Sequence, residues 1–163
     1  MLTACQSAIV NGDIARLASE LKTSGDPDQP DKDGLSLLMW AVLEGNESMV
    51  KLLVENGASL NFKERKLGYT ALHFAAQQQL PEIVDTLVAA GADIEAKDNY
   101  GNSPLFRATF YSNESGETIR ALLHRGANPN SANDRGVTPL SLAKLIANFD
   151  VAQYFDRRTD EHD

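Results

Sequence analysis

The sequence predicts an all-α repeat solenoid of about five helix-turn-helix units over residues 1–156. Two signatures predict it. A closing signature recurs as Gly57-Ala58-Ser59, Gly91-Ala92-Asp93 and Gly126-Ala127-Asn128, at steps of 34 and 35 residues. An opening signature begins at Gly34, Gly68, Gly101 and Gly136 and ends on Ala41, Ala75, Ala108 and Ala143, at steps of 34, 33 and 35. Two independent signatures on one period mean a single supersecondary unit, repeated so that each copy buries its apolar face against its neighbours. The length of 163 residues and the hydrophobic content of 42% are enough to bury a core.

The fullest copy starts at Gly68. Gly68-Tyr69-Thr70-Ala71-Leu72-His73-Phe74-Ala75-Ala76 opens a short helix, an apolar run at helical spacing follows, and Gly91-Ala92-Asp93 closes the copy. This resembles an ankyrin repeat, with Ala71 where that motif usually has Pro, and the resemblance covers nearly the whole chain. It implies helix pairs stacked into a curved solenoid with β-hairpin loops projecting between units. It also implies that hairpin tips and first helices line a concave face, while second helices form the convex back.

Unit one, residues 1–31, is degenerate. Ala8 to Asp13 matches Ala41 to Asn46 at a step of 33. Its helices are expected over roughly 2–10 and 13–23, with Ile14, Leu17 and Leu21 on the buried face and Asp13 at the second N-terminus. Ser7, Asn11, Arg16, Ser19 and Lys22 supply a polar face, as a terminal unit needs. The loop from Asp26 to Asp33 carries four aspartates in eight residues, Asp26, Asp28, Asp31 and Asp33. Its prolines exclude a helix. These carboxylates either cap turns and the next helix or form an acidic tip for a basic partner.

Unit two, residues 32–64, places Trp40 on its inner helix and an apolar second helix over roughly 47–56. Lys63-Glu64-Arg65-Lys66 follows as a solvated loop or a small basic tip. Unit three, residues 65–97, has Pro81 opening its second helix, where a missing N–H costs nothing. By the resemblance, His73 is a hydrogen-bonding helix-start residue rather than a metal ligand, and no Cys or His stands at ligand spacing from it. Unit four, residues 98–131, carries about two added residues after Phe110 and Tyr111. That longer loop covers the two aromatic rings or leaves them as a specificity feature. Unit five, residues 132–156, opens with Thr138-Pro139-Leu140 and closes with a helix ending near Phe155, and 157–163 is a polar tail.

Net charge is −8, with a pI near 4.8. Nucleic acid and anionic membranes are repelled, whereas a basic protein partner is permitted. Cys5 is the one cysteine, so no internal disulfide forms, which fits a cytoplasmic, reducing compartment. Leu2-Thr3-Ala4-Cys5 has the outline of a lipoprotein cleavage box. However, the first helix must already run there, and Cys5 falls where other units place a core Leu. No signal peptide and no membrane span are expected.

Enzyme motifs are absent: no Gly-rich phosphate loop, no Gly-x-Ser-x-Gly, no paired metal ligands. No cofactor and no metal are expected. The resemblance instead places partner contacts at the tips and inner helices. Carried onto this chain, those positions are Asp33, Leu35, Leu43 and Glu44 in unit two, then Leu67, Tyr69, Gln77 and Gln78 in unit three. They continue with Asn99, Tyr100, Asn102, Phe110 and Tyr111 in unit four and Arg135 in unit five, with Trp40 in support. Tyr69, Tyr100, Phe110 and Tyr111 are expected to be exposed anchors. The functional expectation is a non-catalytic protein-binding module, monomeric when free. Ankyrin arrays resembling it serve as bacterial toxin-neutralising proteins, so an acidic inhibitor or immunity-type protein against a basic toxin is one version. A scaffold or adaptor recognising a peptide or complex subunit is the other.

Overall fold

The structure is a computed structural model that describes residues 3–24, 26–112, 115–146 and 150–155. Among them the helices come in pairs. The pairs are α1 (Ala4–Val10) with α2 (Ile14–Ser24), α3 (Leu37–Leu43) with α4 (Glu47–Glu55), and α5 (Ala71–Gln77) with α6 (Pro81–Ala89). Then come α7 (Pro104–Phe110) with α8 (Glu117–His124), and α9 (Pro139–Leu145) with a 3-10 helix (Val151–Phe155). The first helices pack side by side in one row, α1 on α3, α3 on α5, α5 on α7 and α7 on α9. The second helices form another row, α2 on α4, α4 on α6, α6 on α8, and α8 on the 3-10 helix. This is the all-α repeat solenoid that the periodicity predicts. The closing helix is the 3-10 turn, while residues 147–149 and the polar tail lie outside the described residues.

The inner helices start where they do because each is capped by a hydroxyl. Thr3, Ser36, Thr70, Ser103 and Thr138 each accept a hydrogen bond from the backbone N–H three residues on. Pro81, Pro104 and Pro139 occupy the first turn of their helices, where the ring is compatible with helical φ. Each inner helix is only 7 residues long, too short to be stable alone, so packing must hold it.

One contiguous core runs through both rows. Leu17, Leu38, Met49, Leu53, Leu72, Leu87, Leu105, Ile119 and Leu122 are all fully buried in it. Cys5 is buried there, at the place where later units put Leu. Ile14, expected with Leu17 and Leu21 on the buried face, is instead 41% exposed. It opens α2, the second helix of the first described pair.

The loops are bonded in register from unit to unit. Ser59 N–H donates to Asp28 Oδ1 at 2.6 Å, Asp93 N–H to Asn61 Oδ1 at 2.8 Å, and Asn128 N–H to Glu95 Oε1 at 2.7 Å. Each bond joins the foot of one unit to the foot of the next. The expected β-hairpins are tight loops instead, and no strand occurs among the described residues. Each loop is closed by a backbone bond across it, from Asp31 N–H to Leu35 O, Glu64 to Tyr69, Asp98 to Asn102, and Asn133 to Val137. Adjacent tips touch through Asn99 N–H to Leu67 O at 2.8 Å and Asp134 N–H to Tyr100 O at 3.1 Å. Gly101 is needed at such a contact. Its φ is +73°, and a Cβ there would lie 2.8 Å from the Asp134 amide nitrogen.

Candidate protein-binding surface

The tips and the ends of the inner helices present one continuous face. The ring of Tyr100 is 55% exposed on its tip. Phe110 and Tyr111 end α7, with ring centroids 5.0 Å apart in an edge-on arrangement. Phe110 is 57% exposed, so the loop after it leaves the pair open to solvent, although residues 113 and 114 of that loop lie outside the described residues. Leu67 is exposed at the neighbouring tip, and Leu35, Leu43 and Gln77 are half-buried along the inner row. Glu44, Gln78, Asn99 and Arg135 are exposed. Asp33 is also exposed and pairs with Lys66 at 3.4 Å.

Two residues expected on this face are interior. Tyr69 is only 3% exposed. It stacks on His73 at 5.5 Å, meets Phe74 edge-on at 5.3 Å, and carries the Arg107 guanidinium over its ring at 4.7 Å. A cation and two rings occupy the space a partner would need, and burial pushes the Tyr69 phenol up to about 12. Asn102 is also buried. Its side-chain amide donates to both Asp98 oxygens at 3.2 Å, and its Oδ1 accepts from Asn133 Nδ2 at 2.8 Å. Trp40 is half-buried, with its indole N–H fixed to Asp31 Oδ2 at 3.0 Å.

The acidic loop resolves toward turn capping. Asp31 Oδ1 accepts the N–H groups of Asp33 and Leu35, Asp26 accepts that of Asp28, and Asp28 holds Ser59. Glu64 does the same one unit later, accepting from Lys66, Leu67 and Tyr69. In unit four Asp98 takes the N–H groups of Tyr100 and Asn102 at 2.8 and 2.9 Å and binds Arg107 through Nε and Nη2. Burial raises the Asp98 carboxyl, but the Arg107 bond and the Asn102 and Tyr100 amides outweigh it and hold its pKa below the ordinary value.

His73 joins units three and four. Its Nδ1 accepts from the Thr70 backbone N–H at 3.2 Å, and its Nε2 lies 3.1 Å from the Asn102 carbonyl. A carbonyl only accepts, so the proton sits on Nε2 and the ring is neutral. Burial brings its pKa down from 6.5 to about 4, although the Asn102 carbonyl opposes the shift. The unfolded imidazole therefore takes a proton first. Stability from this group is complete above about 6.5 and drains as pH falls toward about 4, by roughly 3 kcal/mol at the limit. Chemical denaturation at several pH values across that window should show the loss. A His73→Asn variant, which does not titrate, should give a flatter profile. Parallel profiles would exclude His73 as the source.

Leu145, 74% exposed at the end of α9, and Val10 at the end of α1 continue the apolar row of Leu43 and Phe110. Neither was among the expected contacts, yet both sit two residues beyond the unit's signature Ala, at Ala8 and Ala143. That shared offset was the signal available for finding them. Among the described residues, no group of three or more His, Cys, Asp or Glu is placed to hold a metal ion. No helix there is long and apolar enough to cross a membrane.

The family model for ankyrin repeats (3 copies) matches residues 2–98 and, overlapping, 64–133. The chain belongs to the ankyrin repeat family. A putative ankyrin repeat protein of Fowlpox virus is 34% identical over 124 residues, covering 74% of this chain and 36% of that protein. SH3 and multiple ankyrin repeat domains protein 2 of Homo sapiens is 29% identical over 154 residues, covering 94% of this chain and 8% of that protein. A palmitoyltransferase of Kluyveromyces lactis is 41% identical over 94 residues, 58% of this chain and 12% of the enzyme. The ankyrin chain thus spans a minor part of each of these relatives.

Proposed function

We propose that this ankyrin array, residues 1–156 taken as one unit, is a non-catalytic protein-binding module. It engages its partner through the tips and inner helices, with Tyr100, Phe110, Tyr111 and Leu145 as anchors. The observation that carries this reading is that Tyr100 at the tip and the Phe110–Tyr111 pair at the end of α7 are exposed on a scaffold whose other large apolar side chains are mostly buried. Exposed aromatic clusters of this kind concentrate binding energy. Among the versions of this function, the scaffold or adaptor that recognises a segment of another protein has the better support. The acidic inhibitor of a basic toxin leans on a net charge of −8 alone.

The test is a Tyr100→Ala plus Tyr111→Ala variant measured by surface plasmon resonance against a partner captured from native lysate. Each truncation should cost on the order of 2 kcal/mol or more, about thirtyfold in affinity, with the fold retained. Normal binding by that variant, together with loss of binding in Lys51→Glu or Asp85→Lys on the second row, would move the site to the opposite face.

A further inference from the structure

The turn between paired helices carries Gly12 in unit one and Gly45 in unit two, with φ of +69° and +64°. The matching place in unit three is held by Gln79, with φ of +58°. The three turns make the same bonds. Gly12 N–H donates to Ile9 O, Gly45 to Val42 O and Gln79 to Ala76 O, at 3.0, 2.9 and 3.3 Å. The next residue, Asp13, Asn46 or Leu80, donates to the signature alanine, Ala8, Ala41 or Ala75. A side chain in the left-handed region strains a backbone that glycine adopts freely. Gln79 is the only non-glycine residue with positive φ among the described residues. It also keeps its Oε1 buried without a hydrogen-bond partner, a second cost. Glycine would remove both, so the turn itself gives no reason for glutamine.

The reason lies in the next unit. Gln79 Nε2 donates to Ala76 O at 3.0 Å and, across the repeat boundary, to Ala108 O at 2.9 Å. Carbonyls only accept, so the amide nitrogen is the atom that must face them. Ala108 lies in the last turn of α7, and the last carbonyls of a helix need partners from outside it. In units one to three the matching alanine carbonyl is met by the turn that follows it. In unit four, where the loop is longer, the amide of unit three reaches it instead. Phe110 and Tyr111 stand two and three residues beyond Ala108, exposed, with their rings edge-on at 5.0 Å. Exposed rings take their direction from the backbone that carries them, here the helix end that Gln79 grips.

We infer that Gln79 is a positioning residue of the binding face. Its side chain ties the end of α7 to unit three and so fixes how Phe110 and Tyr111 are presented to a partner. Gln79 strains its own turn and orders the neighbouring one. That role rests on the proposed face, whereas the tie itself belongs to the free chain.

The experiment is NMR on the full chain without a partner, comparing the parent with Gln79→Gly and Gln79→Glu. Gln79→Gly removes strain and tie together. Gln79→Glu keeps the size and the left-handed side chain, but puts a second oxygen where the donor was. The Tyr111 and Ser112 amides, bonded to Arg107 O at 3.0 Å and Thr109 O at 3.3 Å, report the end of α7. In both variants their hydrogen exchange should quicken at least about tenfold, and the cross-relaxation between the Phe110 and Tyr111 rings should weaken. The Leu80 amide, bonded to Ala75 O at 3.1 Å, reports the turn of unit three. It should hold or slow in Gln79→Gly and quicken in Gln79→Glu, where the strain remains. Unchanged exchange at Tyr111 and Ser112 would overturn the tie. Retained contact between the two rings in both variants would overturn its role in presenting them. Acceleration spread evenly from α5 to α8 would show a general loss of packing and overturn the positioning role as well. None of these outcomes depends on a partner, so failure of the Tyr100→Ala plus Tyr111→Ala test would move the binding site and leave the tie standing.

Discussion

Replacing Asp98 by Ala should unfold this chain more readily than any other single change to a charged residue. The Asp98 side chain is fully buried, and it serves three clients at once. It accepts two backbone N–H groups of its own tip, the side-chain amide of Asn102, and the Arg107 guanidinium. Arg107 is itself only 13% exposed and lies over Tyr69, so its charge has little water to turn to. Removing one partner of a buried pair leaves an uncompensated charge, typically at a cost of about 3–5 kcal/mol. Against a total stability of about 5–15 kcal/mol, that is a large share. Asp33→Ala is the control, because the Asp33–Lys66 pair is solvated and contributes only ~0–1 kcal/mol. Urea midpoints for the two variants should differ clearly. If Asp98→Ala matched Asp33→Ala, the network around Arg107 would not be holding the third and fourth units together.

The same network marks where the sequence could and could not be read. The period was legible because every unit repeats one burial problem, and the hydroxyl caps, helix prolines and closing glycines recur with it. Tyr69 was not legible. It follows the tip glycine, as Leu35, Asn102 and Val137 do, and that place reads as surface. What buries it is Arg107, one unit later in sequence, together with His73 and Phe74 beneath. A periodic pattern reports which position a residue holds within its own unit. It does not report which large side chain the next unit places against that position. Asn102 shows the same limit, since its partners Asp98 and Asn133 make it a strut between tips instead of a contact. Phe110 and Tyr111 were legible as aromatic residues at an inner-helix end. Their exposure depended on the path of the inserted loop, for which the other units offer no template.

Leu87→Ala should cost roughly 2–5 kcal/mol, because a fully buried leucine leaves a cavity that its neighbours fill only in part. Leu87 lies on α6, which packs against α5 within its unit and against α4 and α8 on either side. In a repeat array stability is a sum of unit and neighbour terms, so a cavity at the middle helix weakens both of its interfaces. At about 2–4 °C per kcal/mol for a chain of this size, the melting temperature should fall by roughly 5–15 °C. Leu53, fully buried on α4, should behave alike. Ile14→Ala separates burial from hydrophobicity. Its side chain has the same number of carbons but is 41% exposed, so its loss should be under about 1 kcal/mol. Equal shifts for Ile14 and Leu87 would mean that the terminal pair is docked more deeply than its exposure indicates. A further readout follows from the array's one-dimensional contacts. Hydrogen exchange in the Leu87 variant should rise first in α6 and in the α4 and α8 segments flanking it, while α1 and α2 keep their protection. Uniform acceleration along the whole chain would show that the units unfold as a single cooperative block.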